Sequence, residues 1–215
     1  MKRISLFATA LLFLLVWTPG ASAVPYGFTN ITNNNPGDAG IGEAQLFLDV
    51  ASYGVNQVLF TFTNTGPSAS SITDIYFDDD VPLLDFSDFI YPTSGVKFTV
   101  GASPSNLPGG NDPLYHFSSN YDYDSASPVQ PKGVNPGESL GILFDYANGH
   151  SYGDILAAMN AGTMRVGLHV QGFATGGSEA YINTVPEPAT LLLLGCGLVG
   201  LAGFGRKRFG KGIPA

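Results

Sequence analysis

From Met164 to Gln171 the chain alternates at every step. Met164, Val166, Leu168 and Val170 fall on one side, and Arg165, Gly167, His169 and Gln171 on the other. A period of two with one apolar and one polar face describes a half-buried strand of an antiparallel sheet. The pattern recurs at Gln45 to Val50, at Gln57 to Asn64 and at Ser139 to Asp145. These runs turn Leu46, Leu48 and Val50, then Val58, Phe60 and Phe62, then Leu140, Ile142 and Phe144 inward. Ile72 to Phe77, Lys97 to Val100 and Leu114 to Phe117 are further candidates. Turn-forming clusters stand between the runs, among them Asn33 to Gly37, Asn64 to Pro67, Leu107 to Asn111, Asn135 to Gly137 and Gly176 to Ser178. Only Tyr152 to Asn160 reads as a helix, with Asp154 near its start and Gly162 as a stop. Many short strands with frequent turns predict an all-β protein: an antiparallel β-sandwich, jelly-roll or immunoglobulin-like, with one short helix.

Both ends of the chain are apolar and differ from this central region. Met1-Lys2-Arg3 is a cationic start, Ile4 to Trp17 is apolar, and Ala21-Ser22-Ala23 is a small-residue exit, which together read as a signal peptide cleaved after Ala23. At the other end Val185-Pro186-Glu187-Pro188 precedes an apolar run over 189–205 and the basic stop Arg206-Lys207-Arg208. Seventeen residues is the short edge of a membrane-crossing helix, for which roughly 20 are typical. Its basic flank resists translocation, which leaves the region before Pro186 outside the cytoplasm. The prolines keep the preceding motif out of the helix and extended. The expected division is a signal peptide (1–23), one exported domain (24–184) and a C-terminal signal (185–215) with motif 186–188, single transmembrane helix 189–205 and basic tail 206–215.

In order and position, Pro186-Glu187-Pro188, the apolar run and Arg206-Lys207-Arg208 resemble the PEP-CTERM sorting signal of exported bacterial proteins. The resemblance implies an exosortase as partner, removal of the tail near the motif, and membrane attachment at least before that removal. It further implies an envelope or extracellular-matrix location and a link to exopolysaccharide and biofilm. Gly210 to Ala215 extends the usual short basic ending. The stretches Glu43 to Phe77 and Asp154 to Asn183 resemble, more loosely, a body shared by some proteins with this signal, and that implies no activity.

Removing the ends sharpens the charge. The whole chain carries −8, but three cations (Lys97, Lys132, Arg165) against sixteen acids leave the domain at −13. Such a surface repels nucleic acid and anionic lipid and suits divalent cations. The one cysteine, Cys196, lies in the apolar tail, so the domain has neither disulfide nor thiol nucleophile.

Three groups of residues carry candidate chemistry. Asp74, Asp78, Asp79, Asp80, Asp85 and Asp88 bunch together, and Asp78, Asp79 and Asp80 are the candidate ligands should calcium be a cofactor. EF-hand spacing is absent, and a solvated acidic loop is the plainer expectation. Tyr115, Phe117, Tyr121, Tyr123 and Tyr146, near acids, have the stacking and hydroxyl chemistry that grips sugar, although core packing uses the same residues. His116, His150 and His169 form no zinc motif, and Gly176 to Ala180 lacks the last glycine of a nucleophile elbow. The expected function is therefore a non-enzymatic structural or adhesive envelope protein. A calcium-dependent carbohydrate-binding module is the alternative, and a secreted hydrolase the second.

Overall fold

The computed structural model describes residues 24–147 and 149–184. Ala23, the motif Pro186-Glu187-Pro188, the apolar span and the stop Arg206-Lys207-Arg208 lie outside the described residues. The chain runs through β1 (Val24–Tyr26), β2 (Phe28–Asn30), α1 (Pro36–Gln45), β3 (Leu46–Tyr53), β4 (Gln57–Asn64), β5 (Ser71–Asp79) and β6 (Leu84–Ile90). It continues through β7 (Phe98–Val100), β8 (Tyr121–Ser125), α2 (Val129–Lys132), β9 (Glu138–Tyr146), α3 (Tyr152–Ala161), β10 (Met164–Gln171) and β11 (Glu179–Asn183). Two sheets result, with orders β1-β3-β4-β9-β6 and β2-β11-β10-β5-β8-β7. Every pairing of named strands is antiparallel. Among the described residues no helix is long and apolar enough to cross a membrane.

The alternating runs became the centres of the sheets. β4 and β10 have the expected bounds, and the inward residues of β3, β4, β9 and β10 are all buried. The sheets stack through aromatic edges. Phe77 of β5 meets Phe144 of β9 at 4.9 Å, Phe60 and Phe62 of β4 at 5.0 and 6.2 Å, and Tyr123 of β8 at 6.0 Å between centroids. All four contacts are edge-to-face, the arrangement that the ring quadrupole favours.

β5 departs from the half-buried expectation, because all nine of its residues are buried. Its inner face lies in the main core, while residues 101–120 fold over its outer face. There Leu107 and Phe117 pack on Tyr76 and on Ala180 of β11 as a second, smaller apolar cluster. Gly167 makes room for that cover, since a Cβ there would lie 2.7 Å from Leu107 and 3.1 Å from Phe117. Tyr76 fixes the same segment by donating its hydroxyl hydrogen to the Pro104 carbonyl at 3.0 Å.

Other differences have local causes. Among the described residues three helices stand where one was expected in the domain. α1 begins inside the predicted turn at Asn33 to Gly37: the Asn35 side chain accepts from the N–H groups of Gly37 and Asp38, and Pro36 opens the first turn. Three glycines weaken its intrinsic propensity, and tertiary contact supplies the rest, with the Tyr181 ring filling the space above Gly42. Leu114 to Phe117 is not a strand but part of a turn, in which Tyr115 and His116 donate their N–H to the Asp112 carbonyl. β6 escaped the period-two reading because it is bulged. Phe86 faces Phe144 and Asp88 faces Leu143, leaving Ser87 unpaired, so Phe86 and Phe89 meet at 5.1 Å despite their spacing.

Phe77→Ala is expected to destabilise the domain by about 3–5 kcal/mol, the range for removing a buried aromatic side chain. Urea unfolding checks this, and a loss below about 1 kcal/mol would mean that the two sheets do not depend on this ring.

Candidate functional site

The bunched acids divide among different tasks. Asp78 and Asp79 are consecutive in β5 and engage different partners, and Asp80 is exposed beyond the strand. Asp78 Oδ2 is paired with the Arg165 guanidinium and accepts the Ser118 N–H at 3.3 Å. Asp79 Oδ2 accepts the N–H groups of Leu83 and Leu84 at 2.8 and 3.3 Å, closing the turn into β6. Asp78 and Asp79 are thus buried strand residues rather than parts of a solvated acidic loop. Among the described residues no group of three or more His, Cys, Asp or Glu is arranged to hold a metal ion.

Arg165 does more than neutralise Asp78. It donates to the carbonyls of Tyr115 and His116, and its guanidinium carbon sits 5.4 Å from the centre of the Phe117 ring. One cation thereby ties the cover segment to β5 and β10. Burial, the largest influence, nevertheless pushes the Asp78 carboxyl above its ordinary value, and Arg165 only partly opposes it. Burial also raises Asp79, against the two N–H bonds it accepts, and Asp124, where Asp74 adds repulsion. Glu179 moves the opposite way. Burial raises it, but bonds from Thr32, Asn35, Asn30 and Asn34 together outweigh burial and hold it below the usual value.

The histidines lie apart. His169 is on β10 with Nδ1 2.8 Å from Asp74 Oδ2. A bulge beside it leaves Thr73 without a cross-strand partner, and the Thr73 hydroxyl reaches the same carboxylate oxygen at 2.9 Å. His150 lies 3.9 Å from Asp154 at the start of α3, and exposed His116 contributes its carbonyl to Arg165. Gly176 to Ser178 form the turn before β11, and Glu179 accepts four bonds that pin residues 30–35.

The predicted aromatics separate as well. Phe117 and Tyr123 are buried, and Tyr115 and Tyr146 are half-buried elsewhere, Tyr146 against the main core. Tyr121 and Tyr123 help to line a cleft of about 270 Å³ with Phe86, Val100, Asn120 and Asp122. It opens at the seam where edge strand β6 of one sheet meets β8 and the short β7 of the other. Its polar groups are held in place: Asp122 Oδ1 accepts the Ala102 N–H, Asn120 Oδ1 accepts the Asp79 N–H at 2.7 Å, and the Tyr121 hydroxyl donates to the Leu84 carbonyl. Phe86, Asn120 and Val100 were not singled out in the sequence. Phe86 was hidden by the bulge, and the other two are joined to the seam only by the fold.

The domain is thus a two-sheet antiparallel β protein with a small aromatic-lined cleft, its third layer tied down by one arginine. Residues 184–208, directly after β11, match the family model of the PEP-CTERM protein-sorting motif. The chain is therefore an exported exosortase substrate that carries a PEP-CTERM signal for sorting to the cell envelope. No curated protein and no solved structure matches it.

Arg165→Met leaves the buried Asp78 carboxylate unpaired and is expected to cost about 3–5 kcal/mol. The double variant Arg165→Met/Asp78→Asn should recover part of that loss. Chemical unfolding combined with limited proteolysis of residues 101–120 reads both effects, and equal stability of the two variants would remove the clamp.

A group with a raised folded pKa binds its proton more tightly when folded. Its contribution to stability is full below the ordinary carboxylate value of about 4 and is lost as pH rises through the raised value. Asp79→Asn should accordingly melt higher than wild type at pH 7, with the difference shrinking as pH falls through the raised value and levelling off below about 4. Melting curves across that range check the sign.

Proposed function

We propose that this protein is a non-enzymatic structural or adhesive component of the bacterial envelope or matrix, linked to exopolysaccharide or biofilm. The sorting motif carries the reading: its match starts at residue 184, directly after β11, which supports a processing signal that follows the β domain. In this reading residues 1–23 are removed after Ala23, residues 24–184 form one exported domain, and the 189–205 helix anchors the chain until exosortase cuts near Pro186-Glu187-Pro188. A domain of net charge −13 suits solubility outside the cell.

The strand order favours the immunoglobulin-like over the jelly-roll form of the sandwich. Strands β3-β4-β9-β6 and β11-β10-β5 follow the order A-B-E-D over G-F-C, with β8 and β7 added beside β5. Of the further readings, carbohydrate binding draws on the seam cleft, which combines aromatic rings with a carboxylate and an amide. The acids supply calcium with no such arrangement, and neither calcium dependence nor hydrolysis has a geometric observation in its favour.

Mass spectrometry of the mature C-terminus tests the main reading, comparing the producing cell with one lacking its exosortase. Truncation near Pro186 is expected only when the enzyme is present, and replacing Pro186-Glu187-Pro188 by alanines should abolish it. An intact tail in both cells would reduce the motif to a stiff linker before a permanent anchor.

A further inference from the structure

We infer that the seam cleft between β6 and β8 binds one ring of a neutral glycan. This rests on the exported, polysaccharide-linked reading above and names its ligand class.

The cleft is small. At about 270 Å³ it falls below the roughly 300–1,000 Å³ of pockets that enclose drug-sized molecules, so a single ring fits it. Phe86 and Tyr121 supply half-buried aromatic faces, the surface on which the C–H face of a sugar packs.

The polar groups set the chemistry. Asp122 is held through Oδ1 by the Ala102 N–H, and among the described residues Oδ2 makes no hydrogen bond. Asn120 is held through its carbonyl oxygen by the Asp79 N–H, and its amide N–H donors likewise make none among the described residues. Two residues lining the cleft thus each keep a polar atom unused among the described residues, one acceptor on Asp122 and one amide donor on Asn120. A hydroxyl group both donates and accepts, and so satisfies the two together. An amine would satisfy only Asp122, and a carboxylate only Asn120. Tyr123, which also lines the cleft, has a buried hydroxyl that finds no partner among the described residues.

Charge narrows the choice further. The lining contains no cation, and Asp85 and Asp79 act on the Tyr121 hydroxyl, which burial, the larger influence, also raises. An acidic sugar would meet repulsion with nothing to offset it. The ligand is a neutral pyranose, at the end or along the side of a chain.

The test is saturation-transfer NMR and calorimetry on the full chain with cellobiose, maltose and chitobiose, with digalacturonate as the acidic probe and p-cresol as the apolar one. Saturable binding of at least one neutral disaccharide is expected, with digalacturonate silent. Asp122→Asn keeps the oxygen that accepts from Ala102 and turns the free acceptor into a donor, and should weaken binding about tenfold or more. Val100→Trp alters an exposed rim residue, and should block the cleft while leaving the melting temperature unchanged. Failure of all three disaccharides, binding indifferent to both variants, equal binding of digalacturonate, or saturation by p-cresol alone would each overturn the inference. Tail cleavage is read separately, so a silent cleft leaves the sorting reading standing, and an uncut tail with a working cleft overturns only the sorting reading.

Discussion

Arg165 stands on the outer face of β10, opposite Asp78 of β5, and it gathers a carboxylate, two carbonyls and a phenyl ring around one guanidinium. That contact decides how many layers the molecule has. With residues 101–120 held down, β5 is covered on both sides, and its acids are enclosed with it. A planar, always-charged group with several donors suits this task as a lysine would not, because it satisfies three acceptors at fixed angles. The inner side of β5 depends on a different kind of force, the edge-to-face aromatic contacts around Phe77. Polar clamp outside and apolar contact inside thus meet on one strand.

The arrangement explains why so acidic a domain can keep a core. Seven of its sixteen acids are exposed and four more are half-buried, where solvent and salt screen them. Each buried carboxylate is engaged through at least one oxygen: Asp78 by Arg165, Asp79 by the turn into β6, Asp74 by His169 and Thr73, Glu179 by the segment after β2, and Asp38 by Thr175. These contacts sew loops onto sheets. The bunching of Asp in the sequence therefore reflects local tethering in several places rather than one shared site, because neighbouring strand residues serve opposite faces.

What was legible came from local physics. Alternation over Gln57 to Asn64 and Met164 to Gln171 located β4 and β10 to the residue, since a half-buried strand must repeat every second position. The same rule failed where burial was not one-sided. β5 is covered on both faces, β6 contains a bulge at Ser87, and Tyr121 and Tyr123, offered as sugar contacts, also pack in or against the core. Leu114 to Phe117 showed strand-like composition but was taken up by the turn that Arg165 holds. α1 has poor helix propensity and persists through Asn35 and Tyr181. Of the cleft, Tyr121 and Tyr123 were visible as candidate sugar contacts, while Phe86, Asn120 and Asp122 became partners only through pairing across the fold.

The sequence by itself determined the destination of this protein and the class of its fold. A sorting signal is a contiguous motif that another enzyme reads in line, and strand alternation is a property of neighbours along the chain. Tertiary structure alone decided which carboxylates are buried, which segment becomes the third layer, and where aromatic and polar groups converge into a cleft. Those outcomes depend on residues far apart in the chain, such as Arg165 with Asp78 and Phe86 with Tyr123, meeting at distances that no local pattern encodes.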